Sequence, residues 1–123
     1  MYFLSKCFPF LLVGLFLNSC QGDLACLQVL DKHAATLSLE IMEDGDCIKN
    51  PKFTSIEIYQ VDDYTHRWSL GAREPQKISV LNFRKIPAGF EQSLPPPLLQ
   101  KGDQVTIVLR GPGITAGINI TLE

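Results

Sequence analysis

The chain has 123 residues, of which 46% are hydrophobic and 20% charged, a composition that supports one globular core and leaves no room for a second. Its formal net charge is −2, and a surface without basic excess excludes the phosphate-based recognition that nucleic-acid binding requires. At the start, Lys6 is followed by an apolar run from Cys7 to Leu17. That is the length of a secretory h-region and too short to span a bilayer as a helix.

Directly after this run stands Leu17-Asn18-Ser19-Cys20, which resembles the bacterial lipobox: Leu three residues before the cysteine, a small residue before it, and the cysteine first in the mature chain. The resemblance implies that residues 1–19 are a lipoprotein signal peptide and that Cys20 carries a diacylglyceryl thioether and an acylated amino group. The alternatives are an ordinary signal peptide that ends here, or an uncleaved apolar anchor. At ~0.8 kcal/mol per buried methylene, several acyl chains hold a domain at a membrane far more firmly than one. Gln21, in place of the Asp that resembles an inner-membrane retention signal, implies the outer membrane with the domain facing the periplasm, in a Gram-negative host. Cleavage removes Lys6 and leaves 10 basic against 13 acidic side chains, a net of −3. Residues 20–24 read as a short lipidated tether, and 25–123 as the domain.

Cys7 leaves with the signal and Cys20 is consumed by lipid, so Cys26 and Cys47 remain. An even remainder in an exported chain suits one disulfide, the alternative being two separate thiols. Closing a loop of this length contributes ~3 kcal/mol in the chain-entropy model. Two cysteines without adjacent histidines lack the ligand set of a metal site.

From Ala25 onward, short alternating stretches recur between turn signals, and no window of a dozen residues carries a helical stripe. The expected strands begin with Cys26 to Leu30 and Thr36 to Met42, the second placing Leu37, Leu39 and Ile41 on one face. The acidic turn Glu43-Asp44-Gly45-Asp46 then returns Cys47 toward the first strand. Phe53 to Val61 is the third strand, with Ile56 and Ile58 opposite Glu57 and Tyr59. A polar hairpin at Asp62 to His66 leads into Arg67 to Ala72, where Trp68 and Leu70 share a core-facing side, and Glu74-Pro75 breaks the pattern. Ile78 to Phe83 is apolar on both sides and reads as a central strand. The segment 86–102, with Pro95-Pro96-Pro97, reads as a long crossover loop. Gln104 to Arg110 and Ile114 to Leu122 form a hairpin around Gly111-Pro112-Gly113, with Ile114, Ala116, Ile118, Ile120 and Leu122 inward. Seven such strands fit an all-β, two-sheet sandwich of general immunoglobulin or transthyretin type better than a small closed barrel.

The sequence contains two histidines, His33 and His66, both in expected turns. It has no nucleophile-elbow motif, Gly-rich phosphate loop, His-Glu-x-x-His or paired CxxC motif. The expectation is therefore a binding protein and not an enzyme, with no metal, no cofactor and no small-molecule substrate. Two polar clusters are candidate partner contacts: Glu43, Asp44 and Asp46; and Asp62, Asp63, Tyr64, His66 and Arg67. For both the bland alternative is a solvated turn. The first lacks the spacing and terminal Glu of a known calcium loop.

Three runs in the segment 53–123 carry a resemblance: Arg67-Trp68-Ser69-Leu70, Ile86-Pro87-Ala88-Gly89-Phe90-Glu91, and Leu98-Leu99-Gln100-Lys101-Gly102-Asp103. Gly111-x-Gly113 and Gly117 follow. With the lipobox, these are similar to a group of small Gram-negative lipoproteins described as type VI secretion immunity periplasmic lipoproteins. The resemblance is partial, and its elements are short. It implies a periplasmic domain that binds and occludes a toxin effector. The alternative is a structural lipoprotein of an envelope or secretion assembly, whose known small transthyretin-like example has a longer mature domain.

Overall fold

The structure, a computed structural model, describes residues 23–123. The expected signal peptide, the lipobox-like residues Leu17, Asn18, Ser19 and Cys20, and residues 21 and 22 of the expected tether lie outside the described residues. Nine strands form the domain: β1 (Asp23–Leu24), β2 (Cys26–Asp31), β3 (Ser38–Met42), β4 (Lys52–Gln60), β5 (Asp63–Lys77), β6 (Val80–Asn82), β7 (Glu91–Leu94), β8 (Gln104–Gly111) and β9 (Ile114–Thr121). They build two sheets, β1-β9-β8-β4-β5-β7 and β2-β3-β6. Every pairing is antiparallel except the short parallel pair of β1 with β9. The fold is a two-sheet β-sandwich. Among the described residues no helix is long and apolar enough to cross a membrane.

Alternation produces the core. Leu37, Leu39 and Ile41 of the smaller sheet face Phe53, Ile56, Ile58, Trp68, Leu70, Val105, Ile107 and Leu109 of the larger one, all buried. At ~25 cal/mol per Å² of apolar surface removed from water, this layer is the main stabilising term. Trp68 is fully buried, meets Phe83 edge-on at 5.4 Å, and donates its indole N–H to Gln92 Oε1 at 2.7 Å. Its polar atom is therefore satisfied, as burial of the ring requires. On β4, Phe53 and Ile56 are both inward despite being three residues apart, because the register with β5 shifts between Phe53 and Ser55.

Several expectations are corrected. The strand expected at Arg67 to Ala72 runs from Asp63 to Lys77, so His66 lies in a strand and only Val61-Asp62 forms the turn. Pro75 is tolerated because residues 72–75 bulge between the pairs Ser55↔Gly71 and Phe53↔Gln76, where no ladder donor is needed on the β4 side. Ile78 to Phe83 is not a central strand: β6 is a three-residue edge strand with Val80 exposed. Its two-sided apolarity arises from a crossover, since Ile78 is buried as the chain passes between sheets, before Leu81 and Phe83 turn inward. The segment 86–102 contains the edge strand β7, and the domain starts two residues early because Asp23 and Leu24 pair with Ile114 and Thr115. Ala116 in β9 and Leu122 just after it are buried, whereas Ile114, Ile118 and Ile120 are half-buried near the sheet edge.

Register fixes two poles. Lys52, Lys77, Gly111, Ile114, Asp23, Cys26 and Met42 lie at one end, here the N-terminal pole. Gln60, Asp63, Gln104, Thr121, Asp31 and Ser38 lie at the opposite pole. The nine residues of β4 separate them by roughly 30 Å at a strand rise of about 3.3 Å per residue.

At the N-terminal pole the β8–β9 turn has Pro112 first and Gly113 second, the latter at φ 69°, the residue order a type II turn favours. Gly111 has a different requirement: a Cβ there would sit 2.1 Å from the Lys52 carbonyl oxygen. A Cβ on Gly117 would meet Ile107 O at 3.7 Å, an ordinary contact. Gly111→Ala is therefore expected to cost about 2 kcal/mol through backbone displacement, while Gly117→Ala stays within about 1 kcal/mol of the parent. Urea denaturation of the two variants measures the difference, and equal midpoints would contradict the close approach.

Candidate interaction surface

The two acidic clusters do not form one site. Glu43, Asp44 and Asp46 follow β3 at the N-terminal pole, whereas Asp62 and Asp63 turn the β4–β5 hairpin at the opposite pole. The first cluster is an internally tied loop. Glu43 Oε1 accepts from the Asn50 amide at 2.7 Å, Glu43 Oε2 pairs with Lys77 Nζ at 3.2 Å, and Lys49 Nζ donates to the Glu43 carbonyl. The Asn50 amide, followed by Lys77, holds the Glu43 carboxyl below its usual range. Cys47 closes the loop by a disulfide to Cys26, with their Cα atoms 5.6 Å apart. Asp44 and Asp46 are exposed.

Between the poles the outer face of the larger sheet carries a second, more ordered group. Because Ile56, Ile58, Trp68 and Leu70 point inward, alternation turns Glu57, Tyr59, Arg67 and Ser69 outward. Arg67 Nε lies 3.1 Å from Glu57 Oε2 and its guanidinium carbon 4.2 Å over the Tyr64 ring. The Tyr64 hydroxyl donates to the same carboxylate at 3.2 Å, and Tyr59 packs against the Tyr64 ring at 4.9 Å in a T-shape. Arg110 from β8 approaches Glu57 Oε1 at 3.5 Å. Glu57 is only 13% exposed under these partners, while Tyr64 remains 48% exposed. Each exposed ion pair contributes under about 1 kcal/mol; their joint effect is to hold Tyr64 and Arg67 in one geometry. The sequence reading selected Tyr64 and Arg67 but missed Glu57, Tyr59 and Arg110. Strand alternation together with the β4–β5 and β4–β8 registers is the signal that places them on this face.

Both histidines sit beside carboxylates. His66 Nδ1 lies 2.9 Å from Asp63, which also accepts from the Thr65 hydroxyl at 2.9 Å. His33 Nδ1 lies 2.8 Å from Asp31, which accepts from Thr36 Oγ1 at 2.7 Å and from the His33 amide at 2.9 Å. In each case the threonine and the histidine meet the same carboxylate, and the Thr65 hydroxyl lies closer to Asp63, at 2.9 Å, than to His66 Nδ1, at 3.4 Å. These are turn clasps. Among the described residues no three His, Cys, Asp or Glu side chains converge as a metal site would require.

A shallow depression of about 440 Å³ beside the 72–75 bulge is lined by Arg73, Glu74, Gln76 and Glu91. Gly89, at φ 86°, packs against the Gln76 side chain there. No protein-family model, curated protein or solved structure matches the chain.

The clasp on Asp31 has a measurable consequence. The His33 amide, then Thr36 and the His33 ring, lower its carboxyl from the ordinary 3.8 to about 2. A depressed folded-state pKa contributes stability that is present above the unfolded value and lost as pH falls toward the folded one. Stability is thus expected to decline between about pH 4 and pH 2, less steeply in Asp31→Asn. Denaturant midpoints of both proteins across that window test this, and identical slopes would contradict it.

Proposed function

We propose that the protein is a periplasm-facing lipoprotein, anchored in the outer membrane through lipid on Cys20, that binds a secreted toxin effector and occludes it. One observation carries the binding reading: a half-exposed tyrosine, stacked by Arg67 and hydrogen-bonded to Glu57, stands ready on an open sheet face. Tyr and Arg are the side chains that most often dominate interface energies. Holding them before contact reduces the ordering cost of association. The outward charges, Glu57 with Arg67 and Arg110, and Asp62 and Asp63 beyond them, would steer a partner and set its register. The lipobox supports the anchor, and the three short runs within 53–123 support the immunity reading over that of an envelope-assembly component.

The test is genetic and biochemical. A neighbouring gene product that kills cells when directed to the periplasm should be neutralised by this lipoprotein, and the two should co-purify at equal stoichiometry. Tyr64→Ala combined with Arg67→Ala is expected to weaken that complex by about 2 kcal/mol or more, roughly thirtyfold in Kd, with domain stability changed by less than about 1 kcal/mol. Rescue without binding contradicts occlusion. Recovery of membrane-complex subunits in place of one soluble toxin favours the assembly role.

A further inference from the structure

We infer that the N-terminal pole of the sandwich is a membrane-contact surface, held against lipid headgroups so that the acidic loop 43–46 faces the bilayer and the Asp62–Arg67 hairpin faces away. The inference rests on the lipidation of Cys20 proposed above. It follows from where β1 starts and which way it runs. Asp23 pairs with Ile114 in parallel, so the chain before it leaves the domain beside the Gly111–Gly113 turn. Gln21 and Gly22 alone separate Cys20 from Asp23, and three trans peptide steps span at most about 11 Å. The poles are roughly 30 Å apart, so this tether cannot bring the opposite pole to the lipid without laying the whole domain over.

The same pole holds the Cys26–Cys47 bridge and the loop it closes, so the surface next to the lipid is covalently braced. Its nearest charges carry no basic excess, with Lys49, Lys52 and Lys77 beside Asp23, Glu43, Asp44 and Asp46. Contact is therefore imposed by the tether and not by attraction to anionic lipid. Among the described residues, four of the six large exposed apolar side chains are distributed the other way, the remaining two, Val80 and Ile86, lying on β6 and after it. Leu30, Val61, Tyr64 and Leu98 lie on or beside the elements of the opposite pole, at the end of β2, on the β4–β5 hairpin and in the segment that crosses to β8. That surface is left open to a soluble partner.

The test uses the full lipidated protein in phosphatidylethanolamine and phosphatidylglycerol vesicles containing a nickel-chelating lipid. Cys20 is occupied by lipid and Cys26 and Cys47 by each other, so one introduced cysteine takes the spin label: Pro112→Cys or Glu74→Cys at the N-terminal pole, or Asp62→Cys at the other. Two N-terminal sites guard against a turn substitution that fails to fold. The expected result is loss of signal by headgroup nickel at positions 112 and 74 but not at 62, unchanged by about 0.5 M salt, at which exposed charges are screened within a few ångströms. Equal or stronger loss at position 62, with mass spectrometry showing lipid on Cys20, overturns the orientation and leaves the anchor standing. Loss at position 112 that disappears in salt overturns the tether as its cause. An unmodified Cys20 overturns both orientation and anchor.

Discussion

Strand alternation across β4 and β5 is the constraint on which the rest depends. Ile56, Ile58, Trp68 and Leu70 must point between the sheets to build the core, and the same pleat turns Glu57, Tyr59 and Arg67 outward. A slip of one residue in β4 alone would put Glu57 inside without Arg67, Arg110 or Tyr64 to meet it, while Ile56 and Ile58 went to solvent. Core and surface cluster are two faces of one register for Glu57, Tyr59 and Arg67, whereas Tyr64, of the same parity as Trp68, joins them beyond the register shift between Ile58 and Gln60.

The poles are secured by different means. At the N-terminal pole the chain passes from β1 in one sheet to β2 in the other across Ala25, whose amide bonds Thr115 O at 3.2 Å. The disulfide and the Glu43 contacts tie the neighbouring loop to that crossing. At the opposite pole no covalent link exists among the described residues, and the turns are held by Asp31 and Asp63 with their threonine and histidine partners, and by backbone bonds such as Glu123 to Lys32 at 2.9 Å. Local opening is governed by such differences in tying. A covalently braced end and an end shaped by hydrogen-bonded turns suit an attachment surface and a recognition surface respectively.

Much of the architecture was legible because period-two patterning is a direct record of which face is buried. Leu37, Leu39 and Ile41, and Trp68 and Leu70, all read correctly for that reason, and the strand from Gln104 to Arg110 was found by the same patterning. The pairing of Cys26 with Cys47 was legible by elimination and by the turn between them. What failed was non-local. Edge strands β1 and β7 carry little apolar pattern, since they exist through pairing with β9 and β5. Pro75 looked like a break because a bulge that accommodates it cannot be seen in local sequence. Ile78 to Phe83 looked central because a crossover buries residues of both parities.

For the candidate surface, local reading found the hairpin residues and missed the carboxylate that organises them. Glu57 is separated by ten residues from Arg67 and by fifty-three from Arg110, so nothing along the chain joins the three. It reads as one outward acid in an alternating strand. Only the antiparallel registers, Glu57↔Ser69 on one side and Glu57↔Val108 on the other, bring both guanidiniums to it. The consequence is physical as well as interpretive. Tyr64 is thus held by a carboxylate whose own orientation is set from three strands, so a change at Arg110 on β8 reaches Tyr64 through Glu57.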